Sequence, residues 1–190
     1  MNWDNNLFLW LNFDGGDFMD SLMILVSGRV TWLPLYLFIL YLIWRKSGWR
    51  GVGLFALCVV AAVGLSDMVS GIFKHSGPLK HVWESFPVRL RPMHTPELEG
   101  LIRKIVGGGK YGTVSAHAAT TTSIAIFAAL ELRRRWLTIM LVLWVLLVSY
   151  SRIYLWYHFP QDILLGWATG TVCVALPYLI YSRYLRIAKK

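Results

Sequence analysis

The sequence predicts an all-α integral membrane bundle of about five transmembrane helices plus an N-terminal amphipathic helix at the interface. Three observations predict it. Of the 190 residues, 56% are hydrophobic and only 15% charged, a balance that suits a bilayer better than a soluble core. Five apolar stretches, at roughly 28–44, 51–73, 115–132, 136–154 and 161–182, each approach the ~20 residues that a crossing requires. Ten tryptophans accompany them, a residue enriched where bilayer meets water. The length leaves room for one domain, expected over 1–190.

Taken in order, the segment from Leu7 to Ser27 is apolar but carries Asp14, Asp17 and Asp20, with Gly15-Gly16 as a breaker. It reads as an amphipathic helix lying along the interface, anchored by Trp3, Trp10 and Phe13. The alternative is a sixth span, which would place an aspartate in mid-bilayer at a cost of about 3 kcal/mol. Met1-Asn-Trp-Asp-Asn-Asn has no basic region, so no cleavable signal peptide is expected. The first two spans are joined by the short loop 45–50. A polar connection over 74–114, too long for a simple turn, links the second and third. The remaining loops are short, and the chain has no internal repeat.

The formal net charge is +9, yet the basic residues are dispersed among the spans. They suit anionic lipid head groups, and no basic stripe points to nucleic acid. Ten basic residues, in loop 45–50, loop 133–135 and the tail 183–190, fall on one side of the membrane; nine fall on the other. If the nine hold phosphate, they drop out as topological signals and the ten face the cytoplasm. The long loop then faces outward. Cys58 and Cys173 both lie in apolar runs and read as small buried side chains without a disulfide.

Three polar patches interrupt the apolar pattern, and five alternating spans put all three on one membrane face. In the third patch, Ser151-Arg152 is followed by His158 and Asp162. Pro160 suits a first helical turn, so His158 precedes the helix and Asp162 lies within it. Four residues apart, the carboxylate can hold one imidazole nitrogen and leave the other as an attacking lone pair. Arg152 can fork onto two phosphate oxygens. The bland alternative is an Arg–Asp pair capping two helix ends. In the second patch Ser115 is a candidate N-cap, where free N–H groups favour an anion. His117 would be a general acid that protonates a leaving oxygen; alone, the pair reads equally as a cap and an interfacial histidine. The first patch is Arg91-Pro92, which sets an arginine on extended backbone, with Lys74 or Lys80 upstream as an added point charge.

Other motifs fall away. Gly107-Gly-Gly-Lys110 resembles a phosphate loop, but Tyr111 stands where a Walker loop needs Ser or Thr. The five histidines form no His-Glu-x-x-His helix and have no cysteine companions, so neither a metal nor another cofactor is expected. Asp67, inside the second span, either pairs with a basic residue or faces a polar cavity.

In this order the patches resemble the type 2 phosphatidic acid phosphatase superfamily, the lipid phosphate phosphatases related to vanadium haloperoxidases. The family pattern is Lys-x6-Arg-Pro, then Pro-Ser-Gly-His, then Ser-Arg-x5-His-x3-Asp. The third block is matched at each fixed position by Ser151, Arg152, His158 and Asp162. The second stands as Val114-Ser115-Ala116-His117, and the first keeps Arg91-Pro92. Seven positions before Arg91 stands Glu84 rather than lysine, so the stretch from about Ser76 to Phe86 reads as an insertion. Lys74, at a helix end, is preferred for the lysine role, with Lys80 as the alternative. The resemblance covers roughly residues 50–182.

What it implies is a metal-independent phosphatase acting on a lipid mono- or diphosphate. Isoprenyl diphosphate, phosphatidylglycerol phosphate, phosphatidic acid and lipid A phosphate are the candidate substrates. His158 would attack phosphorus, Asp162 fix its tautomer, and His117 protonate the departing oxygen. Lys74 or Lys80, Arg91, Ser115 and Arg152 would hold the equatorial oxygens. The expected location is the bacterial inner membrane, with the site on the periplasmic or outer face. Competing functions are a phosphotransferase using the same phosphohistidine and a non-catalytic lipid-phosphate-binding protein. A transporter is disfavoured, because no inverted repeat is visible. Oligomeric state is not legible.

Overall fold

A computed structural model describes residues 3–73, 89–102 and 105–187, and among these the architecture is helical throughout. The one pairing of extended backbone is an isolated antiparallel bridge between Leu90 and Tyr111. In chain order the helices are α1 (Trp3–Leu11), α2 (Gly16–Ser27), α3 (Leu33–Ile72), α4 (Ala116–Leu132), α5 (Arg135–Tyr154) and α6 (Pro160–Ile187). Three helical stretches are long and apolar enough to cross a membrane: Val30–Ile72, Arg135–Tyr154 and Pro160–Tyr184. The apolar α4 is shorter.

Two details depart from the expected segments. The spans expected at 28–44 and 51–73 are two limbs of α3, joined without a loop through Gly48, whose φ of 66° breaks the helical path. Glycine alone adopts that conformation freely, which is why a 40-residue helix bends there. The interfacial helix expected from Leu7 is two helices instead of one. Gly15 and Gly16 divide it, as glycines outside the helical region do. Trp3, Trp10 and Phe13 are exposed.

The bundle is built from α3, α4, α5 and α6, with α4 and α6 in the most intimate contact. Small residues make that contact. A Cβ on Gly170 would sit 2.3 Å from the Ala119 carbonyl oxygen, and one on Gly166 would sit 2.7 Å from the Ser115 carbonyl oxygen. The glycines four apart let two backbones touch, a device common between membrane helices. Ser123 then donates to the Gly170 carbonyl at 3.0 Å and lies 2.8 Å from the Ser66 hydroxyl, tying α3, α4 and α6 together. Below that polar layer, Phe55, Phe127 and Tyr181 stack edge to face. Outward-facing Val142, Leu143, Val172 and Leu176 leave an apolar exterior, appropriate to lipid.

Close approach at Gly170 has a measurable consequence. Gly170→Ala is expected to destabilise the bundle by about 1–3 kcal/mol, since backbone atoms cannot yield to the added methyl. Thermal unfolding in detergent checks it; an unchanged midpoint would mean α4 and α6 are free to separate.

The basic loops gather at one end. Lys46, near the α3 bend, pairs with buried Glu131 at the end of α4 at 2.7 Å. The polar patches gather at the other.

Candidate active site

The start of α6 is the foundation. Pro160 opens the helix, so His158 and Phe159 lead into it and Asp162 occupies the first turn. Asp162 has no exposed surface and His158 almost none. The Asp162 Oδ2 atom accepts from the Phe159 N–H at 3.1 Å and lies 3.3 Å from His158 Nδ1. A carboxylate so placed favours the tautomer with hydrogen on Nδ1, leaving the lone pair on Nε2.

The end of α5 supplies the other wall. Trp156 turns the chain with a φ of 58°, rare for a bulky residue. The turn allows the Arg152 carbonyl to accept from the N–H groups of both Tyr157 and His158, at 3.0 and 3.2 Å. Asn12 holds the turn from outside. Its side-chain amide donates to the carbonyl oxygens of Ile153 and Tyr154, and its oxygen accepts from the Trp156 indole. Strain of this kind persists only where neighbours enforce it.

Two guanidinium groups flank one ring. The Arg152 carbon lies 3.9 Å from the Tyr157 centroid and the Arg91 carbon 5.5 Å. Arg152 is largely buried; its Nη1 donates to the Ser27 hydroxyl, and its Nε has no hydrogen-bond partner among the described residues. Arg91 sits on extended backbone, ψ 156°, as its proline neighbour requires. Its Nε donates to the Tyr111 carbonyl at 3.1 Å. Burial pushes the Arg91 pKa down, opposed by Tyr157 and Asp162. A Cβ on Gly112 would lie 3.3 Å from both Arg91 Nε and His158 Cε1, so the first and third patches meet at that glycine.

The second patch joins them. The Ser115 N–H donates to the Asp162 carbonyl at 3.0 Å, fastening the start of α4 to the start of α6. Ser115 caps α4 by accepting from Ala118 N–H at 3.4 Å, a long cap bond. His117, half-buried in the first turn, lines a cavity of about 600 Å³ that runs between α3 and α4. Ser27, the partner of Arg152, lines the same cavity, with Val59, Ile124 and Val148 forming apolar wall. Asp67 lines it as well.

The structure therefore brings together His158, Asp162, Ser115, Arg91 and Arg152, and sets His117 at the same end. Lys74 and Lys80 lie outside the described residues. Sequence reasoning missed Tyr157, Ser27, Asp4 and Arg89. Tyr157 stands inside the third block, but the block's fixed positions give a ring there no role. Asp4 and Ser27 come from the N-terminal helices, whose approach to the site has no local sequence signal. Among the described residues, no three of His, Cys, Asp and Glu cluster as metal ligands would.

Long apolar helices whose one end holds a buried histidine–carboxylate pair beside two guanidinium groups define a membrane-embedded phosphatase. The chain belongs to the PAP2 superfamily, whose family model matches residues 55–186. It is 35% identical over 175 residues to a lipid A 4'-phosphatase of Bacteroides thetaiotaomicron, covering 88% of this chain and 72% of that protein. A lipid A 4'-phosphatase of Porphyromonas gingivalis is 32% identical over 188 residues, with 96% and 76% covered. An undecaprenyl-diphosphatase of Sulfolobus acidocaldarius is 26% identical over 168 residues, with 87% and 72% covered. The fold is shared with crystal structures of Aquifex aeolicus LpxE and of a PAP2-type phosphatidylglycerolphosphate phosphatase from Bacillus subtilis. The first has a TM-score of 0.64 at 19% identity, covering 93% of this chain and 95% of that one. The second has a TM-score of 0.63 at 20% identity, covering 95% and 85%.

Proposed function

We propose that this membrane phosphatase hydrolyses a lipid phosphate through a phosphohistidine at His158, with a lipid A phosphate as the leading substrate. The observation that carries the mechanism is the His158–Asp162 pair at 3.3 Å, set beside Arg91 and Arg152. Two relatives above 30% identity, both named lipid A 4'-phosphatases, favour that substrate over the other lipid phosphates.

Arg91 and Arg152 grip the phosphate oxygens, and Ser115 with the free N–H groups opening α4 completes the cradle. Lys74 or Lys80 adds a further cation. His158 Nε2 attacks phosphorus and forms a P–N bond as the P–O bond to the lipid breaks; His117 gives its proton to the departing oxygen. A water then gives a proton back to His117 and attacks phosphorus, breaking the P–N bond and releasing phosphate. Charge builds on the equatorial oxygens in both steps, where fixed guanidinium groups act most strongly. The reaction needs no metal. A lipid chain extends from the mouth at His117 into the apolar cavity or the surrounding bilayer.

The basic loops 45–50 and 133–135 at the opposite end face the cytoplasm, so the site opens on the periplasmic side of a bacterial inner membrane. Two limbs of α3 followed by α4, α5 and α6 then make five crossings of one domain.

A phosphate-release panel tests this. Lipid A, undecaprenyl diphosphate, phosphatidylglycerol phosphate and phosphatidic acid are each supplied in detergent with excess chelator, with and without an acceptor lipid. Release from lipid A that survives chelation and needs no acceptor is expected. Loss on chelation contradicts the metal-free mechanism, acceptor dependence marks a phosphotransferase, and preference for another lipid overturns the substrate assignment.

A further inference from the structure

Asp4 stands in the first turn of α1, outside each of the motifs above, yet is 1% exposed. Its Oδ1 accepts from the Gln161 N–H at 2.9 Å, so it caps the start of α6 one residue before Asp162. Its Oδ2 pairs with Arg89. The same guanidinium reaches Asp162 Oδ1 at 3.1 Å, an ion-pair contact outside hydrogen-bond geometry, and donates to Gln161 Oε1 at 2.9 Å. It also lies 4.5 Å from the centroid of the Phe159 ring. Arg89 thus has one side chain packed on the residue between His158 and Pro160, and shared by two buried carboxylates.

We infer that the Asp4–Arg89 pair is a positioning device for the reaction: it holds the Asp162 carboxyl aimed at His158, and thereby makes the N-terminal helix part of the working site. The physical reason is charge balance. Two buried carboxylates share one cation; without it they face each other uncompensated, and Asp162 loses the contact that fixes its Oδ1 side. An Asp162 carboxyl turned away from His158 no longer holds the imidazole in the attacking tautomer. Asp4 in turn draws Arg89 sideways, so that the guanidinium meets Asp162 only at Oδ1. Oδ2, the oxygen facing His158, stays available. Neither Asp4 nor Arg89 touches the reacting atoms.

The inference rests on His158 as nucleophile, and the test separates the two. Arg89→Gln, Arg89→Lys, Asp4→Asn and the Asp4→Asn/Arg89→Gln double variant are compared with wild type and His158→Ala. All are assayed on whichever panel lipid the wild type turns over fastest. Arg89→Gln is expected to lower kcat by roughly 10- to 100-fold, the scale of losing an outer partner that orients a working imidazole. KM should stay within about twofold, because no substrate contact is removed. Arg89→Lys should recover much of kcat. Asp4→Asn should improve the Arg89→Gln enzyme, since it removes the competing carboxylate; a role in packing alone would make the double variant worse. Thermal midpoints accompany each assay. If Arg89→Gln does not fold, the double variant carries the test and should fold and turn over. A folded Arg89→Gln with wild-type kcat, or a folded double variant no better than Arg89→Gln, overturns the inference. Turnover surviving in His158→Ala, or no turnover of any panel lipid by wild type, overturns the reading beneath it instead.

Discussion

His158→Ala is expected to lose phosphate release by about three orders of magnitude or more, as removal of a covalent nucleophile does in other enzymes. The loss should fall on kcat, because the substitution takes away the atom that forms the new bond and leaves the anion cradle intact. Folding should survive. His158 meets Asp162 through its imidazole, and Asp162 keeps its Phe159 N–H and its Arg89 partner when that ring is removed. Detergent-solubilised protein should therefore elute and unfold as wild type does while releasing almost no phosphate. Near-wild-type turnover would remove His158 from the nucleophile role.

Arg152→Ala is the second large effect, expected at roughly 10²–10³ in kcat, the scale of removing one preorganised donor from a charged transition state. The guanidinium is held on two sides, by the Tyr157 face and the Ser27 hydroxyl, so it is aligned before substrate arrives. It lies in a largely buried position, where a fixed charge acts with little solvent screening. KM should rise with the loss in kcat, since the same group grips the phosphate in the ground state. Arg152→Lys should recover only part, because an ammonium offers a point charge without the planar fork. Arg91→Ala should be milder, since Arg91 is less buried and already spends its Nε on Tyr111. Steady-state kinetics on the three variants check the order. Arg152→Ala with unchanged kinetics would exclude it from the cradle.

Much of this was legible in the sequence because the informative residues obey local rules. Pro160 fixes where α6 starts, and with it the spacing of His158 to Asp162 along one turn. Ser115 marks the start of α4 in the same way. Apolar length announces the spans. What stayed hidden depends on contacts between distant segments. The α3 bend looked like a loop because Gly48 lies among Arg45, Lys46 and Arg50, a polar run that reads as a break in either case. Asp4 and Arg89 are 85 residues apart and carry no shared spacing rule. A buried ion pair of that kind is visible only once helices are packed. Asn12 and Trp156 illustrate the same limit, since the positive φ at Trp156 has no signature in a run of Ile, Tyr, Leu and Trp. The N-terminal helices therefore read as a peripheral anchor from sequence, and prove to brace the site.

The measurement that bears most directly on the mechanism is a rapid alkaline quench of wild-type enzyme mixed with lipid A, followed by mass spectrometry of the peptide containing His158. Alkali preserves a phosphorus–nitrogen bond to imidazole. Phosphate carried on His158, appearing within one turnover and absent from the His158→Ala protein, is the expected result. Phosphate on another residue, or turnover with no labelled enzyme at any time point, would contradict attack by His158.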